Sequence, residues 1–307
     1  MDQSKSLISR DVVIVGAGVA GIYMLHKLRN MGLKIVVLEK SDELGGTWNW
    51  NRYPGARCDI PSLEYSYQFD EELQQDWNWS EKYSAQPEIL EYLNHVTDRF
   101  DLRKDINFEE EVLEAKFNEE SSLWNIKTNK ENYESKFCIF ATGCLSVPNK
   151  PDIEGLDKFE GQLLSTSYWP REEVDLSSKN VAIIGTGSSS IQTIPEIAKD
   201  VKNLYVFQRT PNYSIPSNNG PMDKEVEADI KSRYTEFRKE NWSNGFGIAG
   251  ISDEALIAES DIDEVNKQLE ENWNNNGLGF FGGYADVPVD ANANEVAARF
   301  VRNKIKE

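Results

Sequence analysis

An α/β chain with two Rossmann-like dinucleotide-binding domains and a helical insertion is predicted by three observations. The turn VGAGVAG, residues 15–21, sits between the β-branched run VVIV and a helix-forming stretch. A second turn, IGTGSSS at 184–190, follows the run VAII in the same way. Beyond residue 221 the pattern changes to long charged segments with helical spacing, MDKEVEADIKSRYTEFRKENW and SDIDEVNKQLEENW. The predicted boundaries are 1–147 and 148–221 for the two nucleotide domains and 222–307 for the helical region.

Composition bounds the partners. A chain of 307 residues is long enough for two domains, each with its own core. Its 39% hydrophobic and 28% charged residues are those of an ordinary globular protein. A net charge of -19 repels phosphate backbones and anionic lipid heads, which argues against nucleic-acid and membrane partners. MDQSKSLISR lacks the apolar core of a signal peptide, and no apolar run reaches the ~18 residues of a membrane span, so a cytoplasmic location is expected.

Cys58, Cys138 and Cys144 form no CxxC pair, which disfavours a disulfide reductase; Cys138, within FCIF, reads as a buried thiol. With His26 and His95 the only histidines, neither a histidine metal cluster nor a Ser-His-Asp hydrolase is readily built. His26 falls inside a predicted helix and reads as structural.

The first unit runs from Asp11 to Lys40 as strand, glycine turn, helix and strand. VVIV is the continuous apolar run of a strand buried on both faces. Gly16, Gly18 and Gly21 spell GxGxxG: the first permits the tight turn, the second lets a pyrophosphate approach, and the third lets helix and strand pack closely. The phosphates would rest on the helix N-terminus. Glu39 ends the second strand 18 residues after Gly21, near the ~20 expected for an acid on a ribose 2′-hydroxyl. That acid rejects a 2′-phosphate, so the site should take the ADP half of FAD or NAD.

From Val181 to Thr210 the pattern repeats with the opposite charge. Gly185 and Gly187 match the first two glycines, and Ser190 stands at the third. Here the second strand, LYVFQ, leads into Arg209, and a guanidinium at that place suits a 2′-phosphate, pointing to NADP. The alternative is a solvated arginine beside an NAD site. Two such units in one chain imply two dinucleotides, with FAD and NADPH the simplest pair.

Between the units, SLWNIKT and ENYESKFCIFATG suggest a hairpin followed by a buried strand. The small residues Ala141, Thr142 and Gly143 at its end would let backbone approach a cofactor. Pro148 and Pro151 mark the domain crossing. NWNNNGLGFFGG, residues 272–283, reads as a loop and a candidate lid.

One stretch resists routine reading. GGTWNWNRYPGARCD, residues 45–59, places two tryptophans among glycines and a proline that forbid a long regular element, which suggests a shaped binding surface.

These residues resemble the type I Baeyer-Villiger monooxygenases, within the class B flavoprotein monooxygenases. The resemblance rests on Gly45, Gly46, Trp48, Tyr53, Pro54, Gly55 and Asp59, on FEGQLLSTSYWP at 159–170, and on GTGSSSIQ and VFQRTPNYSIP. It covers residues 11 to about 220. It implies that Gly46, Thr47, Trp48 and Tyr53 shape a flavin pocket and that Asp59 lies near the reactive face of the ring, tuning an active-site arginine. It also implies that Gly185, Gly187, Ser188, Ser189, Gln192, Arg209 and Thr210 hold NADPH. By the same resemblance, NADPH reduces FAD, O2 adds to the flavin, and the resulting peroxide converts an apolar ketone to an ester or lactone. Asp59 also has a plainer reading, as a helix cap for the IPSLEYSY segment that follows.

Two features depart from the family pattern. Ser165 stands where the second signature has histidine, keeping one hydrogen-bonding oxygen but losing a titration near neutral pH. The family's downstream Lys-Arg active-site pair has no counterpart; Arg299 and Arg302 lie in the helical pattern NEVAARFVRNKIKE, and the chain reads as part of a longer one with its C-terminal part missing. Beside ketone oxygenation, two other readings stay open: a relative that oxygenates amines or sulfides, and an inactive dinucleotide-binding fragment.

Overall fold

The computed structural model describes residues 6–245, 247–249, 251, 254–275, 277 and 279–307. In chain order they form β1 (Leu7–Val15), α1 (Val19–Arg29), β2 (Ile35–Leu38), α2 (Thr47–Trp50), α3 (Glu71–Asp76), α4 (Gln86–Arg99) and β3 (Ile106–Asn107). Next come β4 (Val112–Asn118), β5 (Leu123–Thr128), β6 (Asn132–Phe140), β7 (Asn180–Ile184), α5 (Ser188–Ile197) and β8 (Asn203–Phe207). The remainder is helical: α6 (Lys224–Ser232), α7 (Tyr234–Trp242), α8 (Ile262–Asn275), α9 (Gly279–Gly282) and α10 (Ala291–Lys306). Two compact units result, one of residues 1–53 and 86–175, the other of 54–85 and 176–307.

The first unit is built on a six-stranded sheet in the order β3-β2-β1-β6-β5-β4. Val12, Val13 and Ile14 place β1 at its centre with almost no exposure, as their unbroken apolar run predicts. β1 pairs in parallel with β2 and with β6, while β4, β5 and β6 form an antiparallel meander. The expected hairpin and following strand are therefore β5 and β6. The strand is less buried than its apolar sequence suggests, however: Phe137 and Phe140 are exposed and Cys138 is only half-buried.

The second unit contains the parallel pair β7 and β8 with α5 between them in sequence. Its helices α8, α9 and α10 share a separate core of Val265, Leu269, Phe280, Tyr284, Ala297 and Val301. Trp273 meets Phe280 and Phe300 edge-on, each at 6.1 Å between ring centres. The 272–283 stretch is thus not a free loop where it is described: its aromatic residues Trp273 and Phe280 outweigh its asparagines and glycines and pull it into helices. Residues 276 and 278 of that stretch lie outside the described residues.

The side chains of Asp70, Asp223 and Asp290 cap α3, α6 and α10 by accepting from first-turn amides. α1 and α5 begin instead after Gly18 and Gly187, with no side-chain cap and no acid in the first turn.

Candidate dinucleotide sites and the family they belong to

In the first unit the backbone itself forms the cradle. Gly16 has φ +102°, and a Cβ there would lie 2.7 Å from the Ala141 carbonyl oxygen. A Cβ on Gly21 would lie 1.9 Å from the Gly16 carbonyl oxygen, so the third glycine of the motif is required by packing. Gly18 faces Gly46, where a Cβ would come within 3.0 Å of the Gly18 Cα. The first turn and the start of GGTWNWN therefore approach to within backbone contact, beside the N-terminus of α1, the end of a helix that favours an anion.

Glu39 is buried at the end of β2 and accepts from the Ala17 amide at 2.7 Å and the Ser41 amide at 2.8 Å. Each carboxylate oxygen keeps a second lone pair, so ribose hydroxyls can still be received. Ala141 donates its amide to Val15, bringing the end of β6 beside the turn, and Gly143 follows with φ +71°. Thr142 and Gly143 are exposed.

The signature stretch divides between the units after Tyr53. In the first, Gly45 and Gly46 adopt positive φ and admit the single turn α2, on which Thr47 is exposed and Trp48 is 7% exposed. Trp48 and Tyr53 are buried, whereas Trp50 is half-buried with its ring 5.5 Å from that of Tyr168. Asn49 ties the loop down, donating to Ser41 Oγ at 2.7 Å while its Oδ1 accepts from Arg52 at 2.8 Å. Arg171, just past the second signature, forms a two-pronged pair with Asp42, and its guanidinium is the largest influence holding the Asp42 carboxyl below its ordinary range. Ser165 accepts from the Ser167 amide at 3.3 Å and closes a local turn.

In the second unit Gly185 repeats the φ of Gly16 at +103°, and its amide donates to Phe207 as that of Gly16 does to Leu38. Nothing lies within 4 Å of a Cβ placed on Gly185 or Gly187. Ser188 and Ser189 open α5. Arg209 and Thr210 are exposed just beyond β8, and among the described residues Arg209 has no carboxylate partner, a setting that fits a phosphate.

Asp59 lies in the second unit with Gln192, whose Nε2 donates to Asp59 Oδ1 at 3.1 Å. Burial raises the Asp59 carboxyl above its ordinary range, against the Gln192 hydrogen bond and the nearby charge of Arg57. The helix-cap reading of Asp59 fails: residues 60–66 form bends and turns, with no helix for it to cap. Arg57 is paired with Glu81 at 2.7 Å.

Gln192 is expected from the sequence as an NADPH contact, but its bond to Asp59, 133 residues away, meets no spacing rule. Another residue of this unit has no signal in the sequence. Glu64 lines a cavity of about 580 Å³ with Leu63, Met222 and Phe237, and burial pushes its carboxyl up to about 7. It accepts from Asn241 at 3.0 Å and from the Ala249 amide at 3.3 Å.

Comparison with known proteins agrees with this geometry. The profile described as pyridine nucleotide-disulphide oxidoreductase matches residues 13–276, which include both glycine turns. The chain belongs to that family. Its described cysteines are all free and no CxxC is present, so the family's nucleotide-binding framework is retained without a dithiol pair. A Baeyer-Villiger monooxygenase from Pseudooceanicola batsensis is 41% identical, the match covering 97% of this chain and 55% of that protein. Phenazine N-monooxygenase PhzNO1 from Lysobacter antibioticus is 38% identical over 97% of this chain and 56% of its own length. Among solved structures, oxidized steroid monooxygenase bound to NADP superposes with a TM-score of 0.92 at 45% identity, covering 97% of this chain and 57% of that one. The chain spans about half the length of the curated relatives it matches.

Proposed function

We propose that this chain supplies the dinucleotide-binding part of an FAD- and NADPH-dependent monooxygenase that inserts one atom of O2 beside a ketone carbonyl. The observation that carries the reading is the pair of uncapped glycine turns whose following strands lead to opposite charges, Glu39 and Arg209. It is supported by 41% identity to a Baeyer-Villiger monooxygenase and by the NADP-bound structure.

In this reading residues 1–147 take FAD, 148–221 take NADPH, and 222–307 form the helical insertion. The amides at the start of α1 receive the FAD pyrophosphate, Glu39 receives the ribose hydroxyls, and Ala141, Thr142 and Gly143 give backbone approach. Gly46, Thr47, Trp48 and Tyr53 border the ring and exclude water. Gly185, Gly187, Ser188, Ser189, Gln192, Arg209 and Thr210 hold NADPH, with Arg209 on the 2′-phosphate. The flavin, when bound and reduced, supplies the oxygen chemistry. Asp59, ionised, orients and stabilises positive charge near the reacting atoms. The substrate is a small apolar ketone.

The phenazine N-monooxygenase relative favours a second reading, oxygenation of an amine nitrogen. The purified chain, supplied with FAD, NADPH and ¹⁸O2, is offered a cyclic ketone and an aromatic amine. Label in a lactone is the expected result. Label in an N-oxide establishes the second reading, and bound flavin without oxygen uptake reduces the chain to a dinucleotide-binding unit.

A further inference from the structure

Gln192, on α5, joins the second glycine turn's helix to the segment that carries Asp59. Its Oε1 accepts from the Arg57 amide at 3.4 Å, while its Nε2 donates to the Arg57 carbonyl at 3.2 Å and to Asp59 Oδ1 at 3.1 Å. Arg57 offers one backbone donor and one acceptor, so a single orientation of the Gln192 amide satisfies both, and that orientation aims its NH2 at Asp59. The backbones are equally close. A Cβ on Gly55, which has φ +81°, would lie 2.3 Å from the Gln192 carbonyl oxygen.

The other ionisable groups around Asp59 leave this contact as its direct partner. The Arg57 guanidinium lowers the Asp59 carboxyl through its charge but is itself held by Glu81 at 2.7 Å and by the Tyr83 carbonyl at 3.2 Å. Cys58 is pushed up to about 11 by burial and the Tyr83 hydroxyl is raised by burial, so both are neutral near pH 7. Among the described residues Gln192 is the side chain hydrogen-bonded to Asp59.

We propose that Gln192 is a positioning residue: by donating to Asp59 Oδ1 it holds that carboxyl ionised and oriented, and so ties the Asp59 charge to the seating of α5. The mechanistic meaning rests on the reading above in which Asp59 acts at the oxygenation site. Burial alone favours the neutral acid, and the Gln192 hydrogen bond opposes it. Loss of the donor therefore moves the Asp59 midpoint to higher pH, and an anion in its place moves it further.

The test is a ¹³C NMR titration of the Asp59 carboxyl in the chain without added nucleotide, assigned with Asp59→Asn. Gln192→Met keeps length and packing but removes the donor; Gln192→Glu keeps the shape and opposes the charge; Gln192→Lys returns a donor. The midpoint should rise with Met, rise further with Glu to roughly a tenfold smaller acid dissociation constant, and fall back with Lys. A role in packing alone would lower the melting temperature of all three without ordering the midpoints in this way, and that result would overturn the proposal.

Should a variant not fold, the unaltered chain still decides. The Gln192 side-chain amide resonances must follow pH with the Asp59 midpoint, and invariant resonances would also overturn the proposal. Because the titration needs no cofactor, a chain that binds neither FAD nor NADPH counts against the proposed function and leaves this result readable.

Discussion

The two glycine turns share a spacing but have unlike surroundings. At the first, a Cβ on Gly21 would collide with the Gly16 carbonyl at 1.9 Å, and β1 is buried at the centre of six strands. At the second, Ser190 already carries a side chain, Gly187 has open space, and the strands are a two-stranded pair with Ile184 and Phe207 mostly exposed. A glycine motif therefore has two separable meanings. Backbone conformation is common to both turns, since Gly16 and Gly185 share a positive φ, whereas tight packing is a demand of the first alone.

The sharpest way to break this comparison is substitution at the third position. Gly21→Val should cost about 3 kcal/mol or more, because the atom it meets is backbone and cannot move aside. Ser190→Ala should stay within about 0.5 kcal/mol. Urea midpoints of the two variants measure this, and equal losses would refute it. Next in size, Ile14→Ala should cost about 2–3 kcal/mol by leaving a cavity, whereas Ile184→Ala, at a residue 69% exposed, should cost under about 0.5 kcal/mol.

The charges that end the two units sharpen the comparison in binding. Arg209→Ala should weaken NADP⁺ about tenfold, or about 1.4 kcal/mol, and leave NAD⁺ unchanged, as read by calorimetry. Equal losses for the two nucleotides would make Arg209 a surface residue.

The smallest effect concerns the acids. Glu39 is met by two amides, whereas Glu64 in the second unit is raised to about 7, chiefly by burial. A raised carboxyl binds its proton more tightly in the folded state, so its contribution is full below about 4.5 and is lost as pH rises through about 7. Glu64→Gln keeps an acceptor for Asn241 and the Ala249 amide but cannot ionise. After discounting for solvent screening, it should stabilise the chain by about 1 kcal/mol at pH 8 and by nothing at pH 4. Melting curves at the two pH values provide the check.

The sequence disclosed those features whose cause is local. β1, α1 and the Gly16-Gly18-Gly21 turn follow from apolar runs and short glycine spacings, and Glu39 lies at the strand end where spacing put it. The FCIF run misled about burial because apolar character alone does not say how many neighbours a strand acquires, and Phe137 and Phe140 are exposed. The 272–283 stretch misled for the opposite reason: Trp273 and Phe280 found partners across α8, α9 and α10 that local composition does not encode. The link from Gln192 to Asp59 and the pairing of Arg57 with Glu81 depend on distant chain segments coming together, which no spacing rule reports.

The difference between the two turns is read from the flavin bound per chain. The purified chain, and its Gly21→Val and Ser190→Val variants, are dialysed against FAD and the retained flavin is read from the visible spectrum. One FAD per chain is expected for the unaltered protein and for Ser190→Val, and none for Gly21→Val. Flavin absent from the unaltered chain, or lost with Ser190→Val and kept with Gly21→Val, would contradict it.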